Sequence, residues 1–357
     1  MKNILHILTD KKFHHLIEYF ESEYFKNDSF FIGVIDDEKY TYNIQKSKKW
    51  LDESLKIIKE YDIIVMYDLD FFKSYLTNRI SKEKIILWRF FGLELYHRIP
   101  TLVFSEQTKL YAKKRKFYKD ILKQIYFLFK YQVNREVEFK KALKRINYFI
   151  GLSKEEYKYL KEKFNIPEFI QAPYPTLNYI ESDYRKGEKI NILIGNNRSA
   201  YNNHLEVIDV LSKHKNINKY LFLNYGVRDN YFKKVLEKIL NKEDYFPIQD
   251  FLTKEEFNSF FEKLDVFVLN GYRQMAVANI FTALSHGVKV YLNKKNKYLD
   301  FLVNNGFSVF DIDNLEIDIR ENNLKLSIED KKKIKVSLVN LKEKYSIQNF
   351  IETIKKL

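Results

Sequence analysis

Short apolar runs alternate with stretches of helical periodicity along the chain, in two successive series. The first series predicts strands near Asn3–Leu8, Ser29–Ile35, Ile63–Leu69, Lys84–Phe90 and Tyr148–Leu152. The second predicts strands near Ile190–Ile194, Tyr220–Asn224, Tyr245–Ile248, Val266–Asn270 and Val288–Leu292. Helices are predicted between them, with capping boxes at Ser153–Glu156 and Thr253–Glu256 and other starts near Asn203, Asp229, Arg273 and Asn296. The alternation predicts an α/β protein with two Rossmann-like domains on parallel sheets.

A proline-marked connector that runs from Pro173 to Gly187 separates the two series. We therefore predict an N-terminal domain over residues 1–175 and a second domain over residues 188–326. C-terminal helices over residues 327–357, capped at Ser327 and Asp330, are placed to pack back on the N-terminal domain. Two such domains are expected to face a cleft at the carboxyl ends of their strands, where ligands of open α/β sheets bind.

The junction between the first strand and the first helix of the second series is a candidate anion site. The apolar run Ile190–Ile194 stops at Gly195, and a helix follows with Asn202 or Asn203 as its N-cap. Loop amides and the positive end of a helix dipole converge at such a junction, and a glycine lets a phosphate approach the backbone. An ordinary βα turn is the alternative interpretation.

Composition limits the cellular setting that we expect. The chain has no cysteine, which excludes disulfides and thiol catalysis and is typical of a reducing compartment. The apolar stretch after Met1 is too short and too interrupted for a signal peptide, and no run approaches the about 20 apolar residues that span a bilayer. These features predict a soluble cytoplasmic protein.

Most of the net charge of +14 comes from residues 109–145, which hold 13 Lys or Arg and three acidic residues. One face of the helix predicted there is apolar and includes Tyr118, Ile121, Leu122, Ile125, Phe129 and Val133. The opposite face carries Lys116, Lys119, Lys123 and Lys130. This pattern predicts peripheral binding to an anionic membrane surface. A solvated basic helix packed on its own domain is the alternative, and nucleic-acid binding ranks last because no recognition motif is present.

Several segments also carry a resemblance to a known family. They run in the family's order over nearly the whole chain: His6-Ile-Leu-Thr-Asp10 with His14-His15, Trp88-Arg-Phe-Phe-Gly-Leu-Glu-Leu-Tyr96, Ile194-Gly-Asn-Asn197, Asn202-Asn-His204, Asn224-Tyr-Gly226, Tyr272-Arg-Gln274 with Asn279, and Gly287-Val-Lys-Val-Tyr-Leu-Asn293. The chain thereby resembles glycosyltransferase family 56, the TDP-N-acetylfucosamine:lipid II N-acetylfucosaminyltransferases, also described as 4-alpha-L-fucosyltransferases. It has Phe91 and Glu94 where the family pattern usually has Trp and Asp.

The resemblance implies the B-type glycosyltransferase fold, with the nucleotide-sugar in the second domain. The diphosphate is expected on the amides of Gly195, Asn196 and Asn197, and the base or ribose beside Tyr225 and Gly226. Arg273 and Gln274 are expected to open a helix, so that the Arg charge and the helix dipole together neutralise the leaving diphosphate. The matching segments add Asn203, His204, Asn279 and Asn293 to this expected site.

The resemblance implies no metal and no cofactor, because B-type enzymes generally work without a metal. The formal D-x-D motif Asp68-Leu-Asp70 would bind a metal–diphosphate in A-type enzymes, but it ends a strand of the first series. If the acceptor hydroxyl attacks directly with inversion, a general base is needed from the first domain. The candidates are Asp10, His14 and Glu94.

The predicted function is transfer of a deoxy- or amino-sugar from a nucleoside diphosphate, with dTDP expected, to a polyprenyl-diphosphate-linked glycan. The protein is expected at the cytoplasmic face of the bacterial inner membrane, without a nucleic-acid partner. One alternative is a B-type transferase that uses another nucleotide-sugar to decorate lipopolysaccharide or capsule. The other is a non-catalytic nucleotide-sugar-binding or nucleic-acid-binding protein of the same fold.

Overall fold

The computed structural model describes residues 3–9, 29–32, 48–112, 117–174, 178–181, 187 and 189–357, with the backbone alone at 29–32, 100 and 117–120. By their contacts, these residues form two compact units. The first unit comprises residues 1–94, 116–174 and 345–357, and the second comprises residues 95–115 and 175–344. The chain therefore passes from one unit to the other four times.

A parallel six-stranded sheet with the order β2-β1-β3-β4-β5-β6 forms the centre of the first unit. Its strands are β1 (Ile4–Ile7), β2 (Ser29–Ile32), β3 (Ile63–Tyr67), β4 (Ile85–Arg89), β5 (Tyr148–Gly151) and β6 (Glu168–Gln171). The runs at β1 and β3 are buried along their whole length, as expected for parallel strands that are covered on both faces.

The second unit has a parallel six-stranded sheet of its own, with the order β12-β11-β10-β7-β8-β9. Its strands are β7 (Ile190–Ile194), β8 (Ile217–Phe222), β9 (Tyr245–Ile248), β10 (Val266–Leu269), β11 (Lys289–Leu292) and β12 (Phe310–Asp311). In each sheet, strands are added on both sides of the first strand, with β1 second from one edge and β7 near the centre, which is a doubly wound arrangement.

Helices alternate with the strands in both units. Those that begin in the first half of the chain are α1 (Lys48–Ile58), α2 (Phe71–Thr77), α3 (Leu93–Tyr96), α4 (Glu106–Tyr111), α5 (Phe117–Tyr131), α6 (Arg135–Arg145) and α7 (Lys154–Lys161). The others are α8 (His204–Leu211), α9 (Asn230–Ile239), α10 (Lys254–Glu262), α11 (Val277–Ser285), α12 (Tyr298–Asn304), α13 (Leu315–Arg320), α14 (Ile328–Lys344) and α15 (Ile347–Lys355).

The sequence pattern predicted most of these elements, with two kinds of difference. Strands β6 and β12 were missed because they are short edge strands without an apolar run. The strand predicted from Tyr220 begins at Ile217 instead. It extends through Lys219, a fully buried lysine whose ammonium pairs with the Asp244 carboxylate, so the charge does not end the strand.

The helix start predicted near Arg273 is wrong, because α11 begins only at Val277. Met275 folds back over Gly271, where an added Cβ would lie 2.6 Å from the Met275 sulfur. Ala276 then adopts a left-handed φ of 54°, which delays the first helical turn. Arg273 and Gln274 therefore lie in a loop, and the helix dipole does not act on Arg273 in the predicted way.

Candidate functional site

In the second sheet the strand order reverses between β7 and β10, so their carboxyl ends form a topological switch point. Ligands of open α/β sheets bind beyond this edge. The loop that follows Ile194 and the loop that follows Leu269 meet here, and the Gly195 N–H donates to the Val268 carbonyl at 2.9 Å. These two loops contain most of the predicted nucleotide-sugar residues.

Position 195 requires glycine for two reasons, its backbone conformation and the atoms packed against it. Its φ is +67°, and an added Cβ would lie 2.4 Å from Nε2 of His204. The His204 ring is fully buried under the loop, and burial lowers its pKa to about 3, so the imidazole stays neutral. His204 thus packs against the loop as a buried, uncharged side chain.

The first amide of helix α8 is hydrogen-bonded to the side chain of Tyr231. The Tyr231 hydroxyl accepts the His204 N–H at 2.6 Å and also lies 3.1 Å from His204 Nδ1. Both Asn203 and His204 are fully buried. At the helix N-terminus that was predicted as an anion site, a buried hydroxyl therefore already satisfies the first amide.

A cluster of asparagine side chains sets the shape of the loop after β7. Asn202 Oδ1 accepts the Asn196 N–H at 3.0 Å, and Asn202 Nδ2 donates to the Asn197 carbonyl at 3.1 Å. Of the three predicted amide donors, those of Gly195 and Asn196 are thus used within the protein. Within the described residues, the Asn197 N–H makes no hydrogen bond and is the amide left for a ligand.

A second set of amides connects the two loops to the segment 95–115. Asn203 has a left-handed φ of 47°, and its side chain donates to the carbonyls of Val103 and Asn270, each at 3.0 Å. Its Oδ1 accepts the Ser105 N–H at 2.9 Å. Asn293 Nδ2 donates to Asn270 Oδ1 at 2.8 Å, so Asn203 and Asn293 both serve to fix the loop after β10. Asn279 is half-buried in the first turn of α11.

Two arginines are nearly buried at this edge, at 6% exposure for Arg198 and 8% for Arg273. Arg273 Nη1 donates to the Gln274 carbonyl at 2.9 Å, and its guanidinium lies 5.2 Å from the centre of the Tyr201 ring. The Arg198 guanidinium lies 5.3 Å from the Phe232 ring, and its Nε has no partner within the described residues. Sequence reasoning missed Arg198, although it stands inside the loop that was singled out.

Two aromatic rings flank the next strand ends. Tyr225 accepts a hydrogen bond from Asn196 Nδ2 at 2.9 Å and lies nearly parallel to Phe251, with 6.3 Å between ring centres. Phe251 is largely exposed. Gly226 is needed because an added Cβ would meet the Arg198 stem at 3.0 Å. Phe251 was not predicted, since the loop after β9 carries no polar motif.

Of the three candidate bases, only Glu94 lies in the described part of the chain; Asp10 and His14 lie outside it. Glu94 is buried in the first turn of α3, and its Oε1 accepts the Phe91 N–H at 3.1 Å. The carboxylate thus stabilises the loop after β4 at the carboxyl edge of the first sheet.

The switch point of the first sheet, between β1 and β3, holds the D-x-D residues around a fully buried lysine. Lys73 Nζ donates to Asp68 and, at 2.7 Å, to Thr9 Oγ1, and lies 3.8 Å from Asp70. Asp70 also caps α2 by accepting the Lys73 N–H at 2.9 Å. The Lys73 ammonium thus lies near both carboxylates of the motif. Among the described residues, no group of three His, Asp or Glu side chains is arranged for a metal.

Helix α5 exposes the apolar face that the sequence assigned to it. Ile121, Leu122 and Ile125 are exposed, and Phe129 is 85% exposed. The helix contacts its own unit through Phe127, whose ring centre lies 4.0 Å from that of Phe71, and through Tyr131. Lys123 and Lys130 are exposed, Lys116 lies outside the described residues and the Lys119 side chain is not described. In the part of the chain that the structure covers, no helix combines the length and apolarity needed to cross a bilayer.

No protein-family model matches the chain, and no curated protein matches it in sequence. Solved structures do match it. Sucrose-phosphate synthase from Thermosynechococcus elongatus has 10% identity and a TM-score of 0.67, over 99% of this chain and 98% of the other. HepE of Anabaena, solved with UDP-glucose, has 11% identity and a TM-score of 0.67 over 100% of both chains. The lipopolysaccharide outer core galactosyltransferase WaaB has 11% identity and a TM-score of 0.62, over 99% of this chain and 100% of its own.

The fold is that of the B-type glycosyltransferases. The prediction of two Rossmann-like α/β domains is thereby confirmed. At 10–11% identity the similarity establishes the architecture. The activity depends on the residues of the site itself.

Proposed function

We propose that this protein is a glycosyltransferase that binds a nucleoside diphosphate sugar at the switch point of its second sheet. The observation that carries the proposal is the nearly buried Arg198, whose Nε has no partner within the described residues, beside the Asn197 N–H that makes no hydrogen bond there. The nearly buried Arg273 lies on the neighbouring loop. Buried guanidiniums are costly unless an anion compensates them, and a diphosphate offers two adjacent negative groups. The likeness to HepE, which was solved with UDP-glucose, supports a nucleotide-sugar as that anion.

In the proposed reaction the acceptor hydroxyl attacks the anomeric carbon while the bond to the diphosphate breaks. Negative charge then grows on the leaving diphosphate, and the two guanidiniums stabilise it without a metal ion. Tyr225 and Phe251 offer aromatic faces for the base or ribose. Gly195, Asn196, Asn203, His204 and Asn293 hold the loops in shape, and Gly226, Gln274 and Asn279 complete the proposed site.

For the finer identity we propose a dTDP-linked deoxy- or amino-sugar donor and a polyprenyl-diphosphate-linked acceptor, as the resemblance to family 56 implies. The exposed apolar face of α5 supports this acceptor, because a peripheral helix of that kind brings the enzyme to the membrane surface where such lipids lie. A second candidate is a UDP-hexose-dependent transferase for lipopolysaccharide, favoured by the likeness to HepE and WaaB.

A thermal-shift panel of dTDP, UDP, GDP and CMP in EDTA tests the donor site. Ligands that bind the native state raise its melting temperature by mass action. The preferred nucleotide should do so without metal, and Arg198→Met or Arg273→Met should remove most of the shift. Arg320→Met, on the exposed face of α13, is the control and should keep it. A full shift in both site variants would exclude the arginine model. Release of nucleoside diphosphate that depends on a lipid-linked acceptor then separates an enzyme from a binding protein.

The general base of an inverting reaction is proposed among Asp10, His14 and Glu94. At saturating donor, Asp10→Asn, His14→Ala and Glu94→Gln should be compared for turnover and for nucleotide binding. The true base should lose about 10²–10⁴-fold in turnover while the nucleotide shift stays normal. Glu94→Gln can still accept the Phe91 N–H, so its effect isolates the carboxylate charge. Three active variants would place the base elsewhere.

A further inference from the structure

The apolar core of the first unit contains a polar group that the proposed reaction does not use. His6, Tyr67 and Arg89 lie on neighbouring strands β1, β3 and β4 and face one small cavity. Among the described residues, the rest of its lining is apolar: Ile4, Val65, Ile150, Phe350 and Ile354, the last two from α15. His6 and Arg89 also belong to two of the segments that carry the family resemblance, and the fold brings them together.

Arg89 is a cation without a counter-ion within the described residues. Its Nη1 is buried and makes no hydrogen bond there. Burial lowers the pKa of Arg89 to about 10, against the opposing influence of the Tyr67 and Tyr174 hydroxyls. The guanidinium therefore remains charged at neutral pH. A charge in this setting is costly unless an anion is close to it.

The other polar groups around the cavity are neutral. Burial lowers the pKa of His6 to about 4, so its ring carries no charge at pH 7. His6 Nδ1 lies 3.1 Å from the Tyr67 hydroxyl. With the imidazole proton on Nδ1, His6 donates to Tyr67, and the Tyr67 O–H is then directed to another acceptor. In this tautomer the cavity offers one charged donor, the Arg89 guanidinium, and one neutral donor, the Tyr67 hydroxyl.

Size decides which acceptor fits. The cavity has a volume of about 20 Å³. A cavity of this size can hold one water or one halide ion, and within the described residues its lining has no second charged group for a tetrahedral oxyanion. We propose that this cavity binds one small monoanion of chloride size, held between the Arg89 guanidinium and the Tyr67 hydroxyl. A water would satisfy the hydrogen bonds, but only an anion also neutralises Arg89.

Melting temperatures of the full chain at matched ionic strength test this site. Sodium chloride and sodium bromide should raise the melting temperature by about 2 °C relative to sodium gluconate, since they bind the native state. Sodium sulfate stabilises proteins in general by exclusion from their surface, so it should raise the melting temperatures of the wild type and of Arg89→Met by the same amount. Equal melting temperatures in chloride and gluconate would overturn the proposal.

Two variants assign the effect to the cavity. Arg89→Met should abolish the difference between chloride and gluconate, and Tyr67→Phe should reduce it. Lys144→Met, which removes an exposed charge from the same unit, should keep the full difference. A chloride effect that persists in Arg89→Met would contradict the assignment. If Arg89→Met does not fold, chloride-35 line broadening by the wild type and by Tyr67→Phe decides: a smaller excess width in Tyr67→Phe supports the site, and equal excess width in both proteins contradicts it.

Discussion

Gly195 is the residue at which the loop of the proposed donor site is most tightly defined. A side chain there would meet the His204 ring and would also have to adopt a left-handed φ. Gly195→Ala should therefore lower the free energy of unfolding by about 2–4 kcal/mol, as the combined cost of left-handed backbone and overpacking. Urea unfolding should show a lower midpoint with an unchanged slope.

Gly187 provides the matched control for this substitution. No atom lies within 4 Å of the position that its Cβ would take. Gly187→Ala should leave the midpoint unchanged or raise it slightly, because alanine restricts the unfolded chain. Equal midpoints for the two variants would mean that the loop after β7 yields easily and that His204 does not define it.

At the scale of single elements, the proposed membrane binding of α5 can be tested by surface substitutions that leave the fold intact. Each lysine near an anionic headgroup contributes about 1 kcal/mol, and salt screens this attraction. Changing Lys116, Lys119, Lys123 and Lys130 to Glu should therefore release the protein from anionic vesicles in a co-sedimentation assay at low salt. Phe129→Ser should weaken binding further, since it removes the most exposed apolar side chain.

Helix α14 supplies a control with the same change of charge. Lys331, Lys332, Lys333 and Lys342 are exposed on the second unit. Their replacement by Glu should leave vesicle binding near that of the wild type if α5 is the membrane surface. Turnover on a water-soluble acceptor analogue should change little in either variant. Equal release of both quadruple variants would mean that vesicle binding depends only on the net charge of the protein and not on the position of the lysines.

Elements with a strong local signal were predictable from the sequence, and the site residues were predictable only in part. The helix starts at Asp229 and Thr253 were predicted from capping residues, and both side chains cap their helices in the structure. The Gly195 loop was found because an apolar strand ends at a glycine. Which backbone amides remain available for a ligand could not be predicted, because hydrogen bonds to the Asn202 and Tyr231 side chains form only in the folded protein. Arg198 and Phe251 were missed since nothing local distinguishes them from surface residues.

On the scale of the whole molecule, α15 belongs to the sheet of the first unit. Its buried residues Ile347, Phe350, Ile351 and Ile354 pack in one apolar cluster with β1, β3 and β4. The double variant Ile351→Ala with Ile354→Ala should destabilise the first unit by at least about 4 kcal/mol, through lost burial and new cavities. Glu352→Ala, on the exposed side of the same helix, should have little effect.

Fluorescence can follow this unit alone, because both tryptophans of the chain, Trp50 and Trp88, are buried in it. The double variant should shift the tryptophan transition to lower urea. Nucleotide binding by the second unit should persist at urea concentrations where this signal is already lost. Simultaneous loss of both would indicate that the units unfold as one.

The four passages between the units determine the order in which a ribosome can complete them. Translation usually lets the domain made first fold first. Here the second unit has all its residues once position 344 has been made, since the segment 95–115 was synthesised earlier. The first unit still lacks α15, and the apolar sheet face beneath it stays open to water or to a chaperone. The unit that contains β1 is therefore the last to be finished.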